Sequence, residues 1–112
     1  MGLPYSTFRK TTGNLMFISG QLPIDEDGNM PEDVKTQTRI ILNNIENIVK
    51  ENGKTMDDIV KTTVFITDFS KFGEMNEEYA LHFGENKPAR SACEVTALAK
   101  NAKVEIEAIV QL

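Results

Sequence analysis

The longest helical pattern in the chain covers residues 31–51. Val34, Ile41, Leu42, Ile45, Ile48 and Val49 fall there on one face of a helix of 3.6 residues per turn. Pro31 suits the first turn, where backbone N–H groups have no partner inside the helix. Glu32 and Asp33 favour the positive end of the helix dipole, and Gly53 marks the stop. Lys35, Arg39, Asn43, Glu46 and Lys50 make a polar opposite face, expected to be solvated. A second helix is predicted over residues 70–82, with Phe72, Met75, Tyr79 and Phe83 as its buried stripe and Gly84 at its end.

Elsewhere the period changes to two. Residues 5–12 read as a first strand, turned by Gly13-Asn14 into the apolar run Leu15-Met16-Phe17-Ile18, which ends at Ser19-Gly20. Asp25-Glu26-Asp27-Gly28-Asn29 is a turn. Residues 59–67 are rich in β-branched side chains, with Val60, Thr62, Val64 and Ile66 on one side. The last third predicts two strands, residues 89–98 and 103–111, paired as a hairpin through a tight turn at Lys100-Asn101-Ala102. In the final strand Val104, Ile106, Ala108 and Val110 face one way, while Glu105, Glu107 and Ile109 face the other. Strands around two helices imply an α+β fold, one sheet with both helices on one face. Phe65 and Ile109 make the second face apolar enough to expect another subunit over it.

Composition narrows the function classes. The 112 residues fit one domain spanning 1–112, and 40% hydrophobic with 26% charged residues is a globular balance. A net charge of −5 argues against nucleic acid as the main partner, since that affinity rests on neutralising phosphates with Lys and Arg. The single cysteine, Cys93, permits no intrachain disulfide and suits a reducing, cytoplasmic setting. Residues 1–10 hold no apolar signal core, and no apolar run approaches the roughly 20 residues that cross a bilayer.

Several site types lack their parts. There is no cysteine pair for zinc, and His82, the one histidine, is expected on an exposed helix surface, so no metal site is expected. No glycine-rich phosphate loop is present. A serine or cysteine nucleophile would lack its usual histidine base, and Cys93 reads as a small core hydrophobe on a strand. Arg90 and Glu105 remain. Arg90 enters a strand among small apolar residues, either as a solvent-facing edge charge or as a fork for a carboxylate. Glu105, alternating away from the core, reads on its own as a solvated strand carboxylate.

Five spaced stretches bear on that choice. Residues 13–23 (GNLMFISGQLP), 58–68 (DIVKTTVFITD), 75–79 (MNEEY), 88–92 (PARSA) and 104–109 (VEIEAI) resemble the RidA/YjgF family, in that family's order and over nearly the whole chain. The resemblance implies a chorismate-mutase-like fold, a trimeric barrel and sites in the clefts between subunits. It implies hydrolysis of 2-iminopropanoate and 2-iminobutanoate to 2-keto acids and ammonia, with no cofactor. Carried over by position, Arg90 would grip the substrate carboxylate and Glu105 would position or activate the attacking water. Tyr5, Ser19, Gly20 and Asn76 would line the pocket, with the backbone from Arg90 to Ala92 adding hydrogen bonds. Some family members have a cysteine where this chain has Ala92, so no cysteine role is carried over. Two other functions stand beside this one: a ribonuclease that inhibits translation, ascribed to some family members, and a non-enzymatic trimer that binds small carboxylates.

Overall fold

The computed structural model describes residues 7–10 and 13–112. Among the described residues five strands form one mixed sheet, β1 (Phe8–Lys10), β2 (Leu15–Gln21), β3 (Ile59–Ile66), β4 (Ala89–Glu94) and β5 (Val104–Gln111), in the order β1-β2-β5-β3-β4. Two helices, α1 (Val34–Glu51) and α2 (Phe72–Ala80), cover one face. The core lies between them and that face. Met16 and Ile18 of β2, Val64 and Ile66 of β3, and Val104, Ile106, Ala108 and Val110 of β5 meet Ile41, Leu42, Ile45 and Val49 of α1 there.

The helix stripes lie where the periodicity puts them. All six apolar positions of α1 are buried, and Met75, Tyr79 and Phe83 are buried on the α2 side, whereas Phe72 at the start of the helix is only partly buried. The start of α1 differs from expectation. Pro31 and Glu32 precede the helix, and Asp33 caps it, its carboxylate accepting from the Thr36 amide at 2.9 Å and the Thr36 hydroxyl at 2.7 Å. A side chain that satisfies two donors fixes the boundary more firmly than a proline tolerated in a first turn. At the other end Gly53 takes a φ of +73°, and its N–H reaches the Lys50 carbonyl. The second helix is shorter than residues 70–82, because Phe69–Lys71 forms a separate 3₁₀ turn after the Asp68 cap.

The expected C-terminal hairpin does not form. The turn at Lys100 and Asn101 exists, with φ of +57° and +61°. The strands it joins are nonetheless not neighbours. β5 inserts between β2 and β3, antiparallel to both, and β4 pairs in parallel with the far side of β3. The reason is burial. β5 alternates four fully apolar core positions and is stabilised most at the centre of the sheet, whereas β4 has only Ala92 packed against the core and takes the edge. Cys93 is corrected with it: it sits exposed on this edge strand and not in the core. Val60 is likewise not on the buried side of β3. A register shift between Ile59 and Lys61 buries Ile59 and turns Val60 outward.

The face without helices carries Leu15, Phe17, Phe65 and Ile109, and Phe17 is 43% exposed. No described helix is long and apolar enough to cross a membrane.

Candidate active site

Arg90 stands level with Thr62 in the parallel β3–β4 pair. Residues at one level point to the same face, and Thr62 is buried beneath α2 with its hydroxyl 2.7 Å from that of Tyr79. Arg90 therefore projects toward α2. Its guanidinium carbon lies 4.8 Å from the centre of the Tyr79 ring and 5.5 Å from that of Phe72. Its Nη1 donates to Oδ1 of Asn76 at 2.7 Å. Ala92 follows on the same face beside Phe69 and Phe72. A shallow cleft of about 320 Å³ opens here, lined by Asn76, Tyr79, Phe83, Lys87, Pro88 and Arg90 among others.

An exposed arginine ordinarily ranges over many rotamers. Two ring faces and one amide oxygen hold this one, leaving much of its donor fork for a ligand. Among the described residues no carboxylate pairs with it. Burial pushes the Tyr79 phenol up from its ordinary pKa, against the smaller opposing effects of the Thr62 bond and the Arg90 charge, so the ring stays neutral.

Glu105 is on the other face. It stands level with Phe65, between the buried Val104 and Ile106, and so points away from the helices. Next to it β2 breaks register between Ile18 and Gln21, which bulges Ser19 and Gly20. A Cβ built on Gly20 would overlap a carboxylate oxygen of Glu105 and lie 2.9 Å from its Cδ. Gly20 is thus the residue that lets the carboxylate lie against the β2 backbone. Glu105 is half-buried, and burial raises its pKa above the ordinary glutamate value, with the negative charge of Glu107 adding to the rise.

The structure therefore gathers the sequence-predicted residues into two groups. Arg90, Asn76 and Ala92 share the helix side of β4. Glu105, Gly20 and Ser19 share the open side near β2. Tyr5 lies outside the described residues. Arg90 and Glu105 are two strands apart and three residues out of level, which at ~4.8 Å per strand and ~3.3 Å per residue separates their backbones by roughly 14 Å. This separation comes from the strand order and the opposed faces.

Two contacts were not legible as site features. Phe72 and Tyr79 read as core stripe, yet they carry Arg90. The available signal was spacing, since Asn76 and Tyr79 are one helical turn apart and face the same strand. Behind them, the side chain of Glu78 is only 5% exposed and accepts from Arg39 Nη2 at 3.2 Å and from His82 Nε2 at 2.8 Å. His82 is thus not the free surface histidine its helix position implied, its side chain being 13% exposed, and Arg39 is not merely solvated. Burial raises the Glu78 pKa, but the bonds and charges of His82 and Arg39 outweigh it and hold the carboxyl below its ordinary value. Among the described residues no group of three histidine, cysteine or acidic side chains could hold a metal ion.

A five-stranded sheet with two helices on one face and an aromatic-backed arginine at its edge defines a small α+β protein of the YjgF/RidA type. The chain belongs to the family described as Endoribonuclease L-PSP, whose model matches residues 2–112. It is 48% identical over 108 residues to the RutC family protein PH0854 of Pyrococcus horikoshii, covering 95% of this chain and 85% of that one. It is 44% identical over 101 residues to the Escherichia coli protein named "Putative reactive intermediate deaminase TdcF", covering 87% and 78% of the two chains. The crystal structure of E. coli TdcF with bound serine superposes with a TM-score of 0.92 at 40% identity, covering all of this chain and 91% of that one. RidA from the Antarctic bacterium Psychrobacter sp. PAMC 21119 gives a TM-score of 0.92 at 39% identity, covering 97% and 89%.

Proposed function

We propose that this protein hydrolyses reactive 2-imino acids, 2-iminopropanoate and 2-iminobutanoate, to the 2-keto acids and ammonia. The observation that carries the reading is the held guanidinium of Arg90, stacked on Tyr79 and Phe72, tied to Asn76 and paired with no carboxylate among the described residues. A planar fork held open in this way suits the carboxylate common to all 2-imino acids. The serine bound by the related TdcF supports it, since serine is a three-carbon 2-amino acid and 2-iminopropanoate has the same skeleton.

The reaction needs little more than orientation and proton exchange. With the carboxylate held, the imine carbon is fixed beside one water. The water oxygen bonds to C2 as the C=N electron pair moves to nitrogen, which takes a proton from solvent, and Glu105 accepts the proton that the water loses. The C–N bond of the resulting carbinolamine then breaks, nitrogen leaves as ammonia with a proton returned by Glu105, and the C2 oxygen becomes the keto oxygen as its hydroxyl proton passes to solvent. The net change is one imino acid and one water to one keto acid and one ammonia, with no cofactor. A carboxyl whose pKa is raised by burial exchanges protons closer to neutrality.

Because Arg90 and Glu105 lie on opposite faces of one chain, the reading places each site between subunits of a homotrimer. The Arg90 side of one chain meets the Ser19, Gly20 and Glu105 side of the next. The apolar face of Leu15, Phe17, Phe65 and Ile109 supports that assembly. A cytoplasmic enzyme of this kind would meet the imines released there by pyridoxal-phosphate enzymes.

The test is a coupled assay with freshly generated 2-iminopropanoate. Wild type should accelerate ammonia release and Arg90→Ala should not, while the variant stays folded and assembled. Arg90→Lys should also be poor, because a point charge does not reproduce the fork. Near-wild-type turnover by Arg90→Ala overturns the assignment. Cleavage of RNA by wild type without imine hydrolysis would favour the ribonuclease activity, against which the net charge of −5 already argues.

A further inference from the structure

We propose that Tyr79, anchored through its hydroxyl by Thr62, is a positioning residue that sets the plane of the Arg90 guanidinium; the inference rests on the carboxylate-holding role of Arg90 proposed above.

Three contacts close a ring. The backbone of Thr62 stands level with that of Arg90 across the β3–β4 pair. The side chain of Thr62 meets the Tyr79 hydroxyl at 2.7 Å in a buried site. The Tyr79 ring then lies 4.8 Å beneath the Arg90 guanidinium carbon. The strand that carries the arginine and the ring that supports it are thus referred to the same residue. Tyr79 is further fixed by Phe83, with ring centres 4.8 Å apart, and by its own burial at 8% exposure. Neither χ angle of the tyrosine is free, so the ring acts as a rigid platform.

Asn76 alone does not do this. One hydrogen bond to Nη1 leaves the guanidinium free to rotate about that contact. The platform removes that rotation, and the fork then meets a carboxylate with its plane already set. The gain appears in carboxylate affinity, because less conformational freedom is lost on binding.

The experiment measures binding of L-serine as the carboxylate probe by calorimetry, together with Tm, for full-length wild type and variants. Tyr79→Leu should weaken serine binding roughly fivefold or more, the range of a partly exposed cation–π contact. Tyr79→Phe keeps the ring, loses the Thr62 anchor, and should weaken binding by about twofold to threefold with little loss of assembly. In an Arg90→Lys background, where no planar fork exists, Tyr79→Leu should add less than twofold. A purely structural tyrosine would instead lower Tm in both backgrounds and leave affinity of the folded fraction unchanged. Should Tyr79→Leu not fold, Tyr79→Phe decides, and unchanged serine affinity in it overturns the proposal. Serine binding lost in Arg90→Ala but intact in both Tyr79 variants overturns the platform and leaves the carboxylate role standing. Failure of wild type to bind serine overturns both.

Discussion

Arg90 and Glu105 point to opposite faces of the same sheet. Arg90 shares its level and its face with Thr62 under α2, and Glu105 shares its level with Phe65 on the side without helices. A single chain cannot present both groups to one small molecule, because the sheet itself lies between them. Two inactive variants, Arg90→Ala and Glu105→Gln, should therefore regenerate intact sites when co-assembled. In the proposed trimer, random mixing would create interfaces where the wild-type Arg90 of one chain meets the wild-type Glu105 of the next. Activity of purified mixed trimers is the measurement. No recovery in mixtures verified by mass spectrometry would show that the sites are not shared.

The pH profile should carry the signature of Glu105. Its pKa is raised from the ordinary 4.5, first by burial and then by Glu107. If the ionised carboxylate accepts the proton from water, kcat/KM falls on the acid side with a midpoint above 4.5. The same shift has a stability sign. A carboxyl with a raised folded pKa favours the folded state most at low pH, and that contribution is lost as pH rises through the folded value. Glu105→Gln should flatten the acid limb and lose most of kcat while serine still binds. Normal turnover in Glu105→Gln would transfer the role to another group, or the protein to the class of carboxylate binders.

Gly20→Ala tests the packing of β2 against the carboxylate. A Cβ there would collide with Glu105, whose side chain is flexible enough to rotate away. The expected result is displacement of Glu105 with a stability loss of about 1 kcal/mol. Turnover should fall more steeply, roughly tenfold to a hundredfold, because a displacement of about 1 Å is enough for that. Wild-type kcat in a folded Gly20→Ala variant would contradict the placement of Glu105 in the site.

Glu78 gives a prediction about stability alone. Its buried carboxylate holds α2 to α1 through Arg39 and meets His82 in the turn that follows α2. Glu78→Gln should lower stability by about 1–2 kcal/mol, a fall in Tm of about 4–8 °C. The folded pKa is depressed below 4.5 by His82 and Arg39, against the opposing effect of burial. The contribution is therefore present above that value and lost as pH falls through the folded one. Thermal melts at neutral pH and below pH 4.5 should show the gap between wild type and Glu78→Gln closing in acid. A gap that does not change with pH would mean that the charge of Glu78 contributes nothing.

The sequence by itself determined the elements and their faces. Apolar spacing in residues 34–49 and alternation in residues 104–110 are set by local geometry, and each predicted the side that is buried. The family motifs single out Arg90 and Asn76, and in the structure Arg90 donates to the Asn76 side chain. Strand order was another matter. Residues 89–94 and 104–111 are close in the chain and joined by a true turn, yet they are separated by β3, because pairing is decided by which strand buries most apolar surface at the sheet centre. Local pattern carries no record of that competition. The same holds for Tyr79 and Glu78. Helical spacing marks Tyr79 as core, and a charge such as that of Glu78 is ordinarily solvated; only packing of α2 against both β4 and α1 makes one a platform for Arg90 and the other a buried partner of Arg39 and His82. Periodicity reports a residue's face within its own element, whereas its role depends on what a distant element brings to that face.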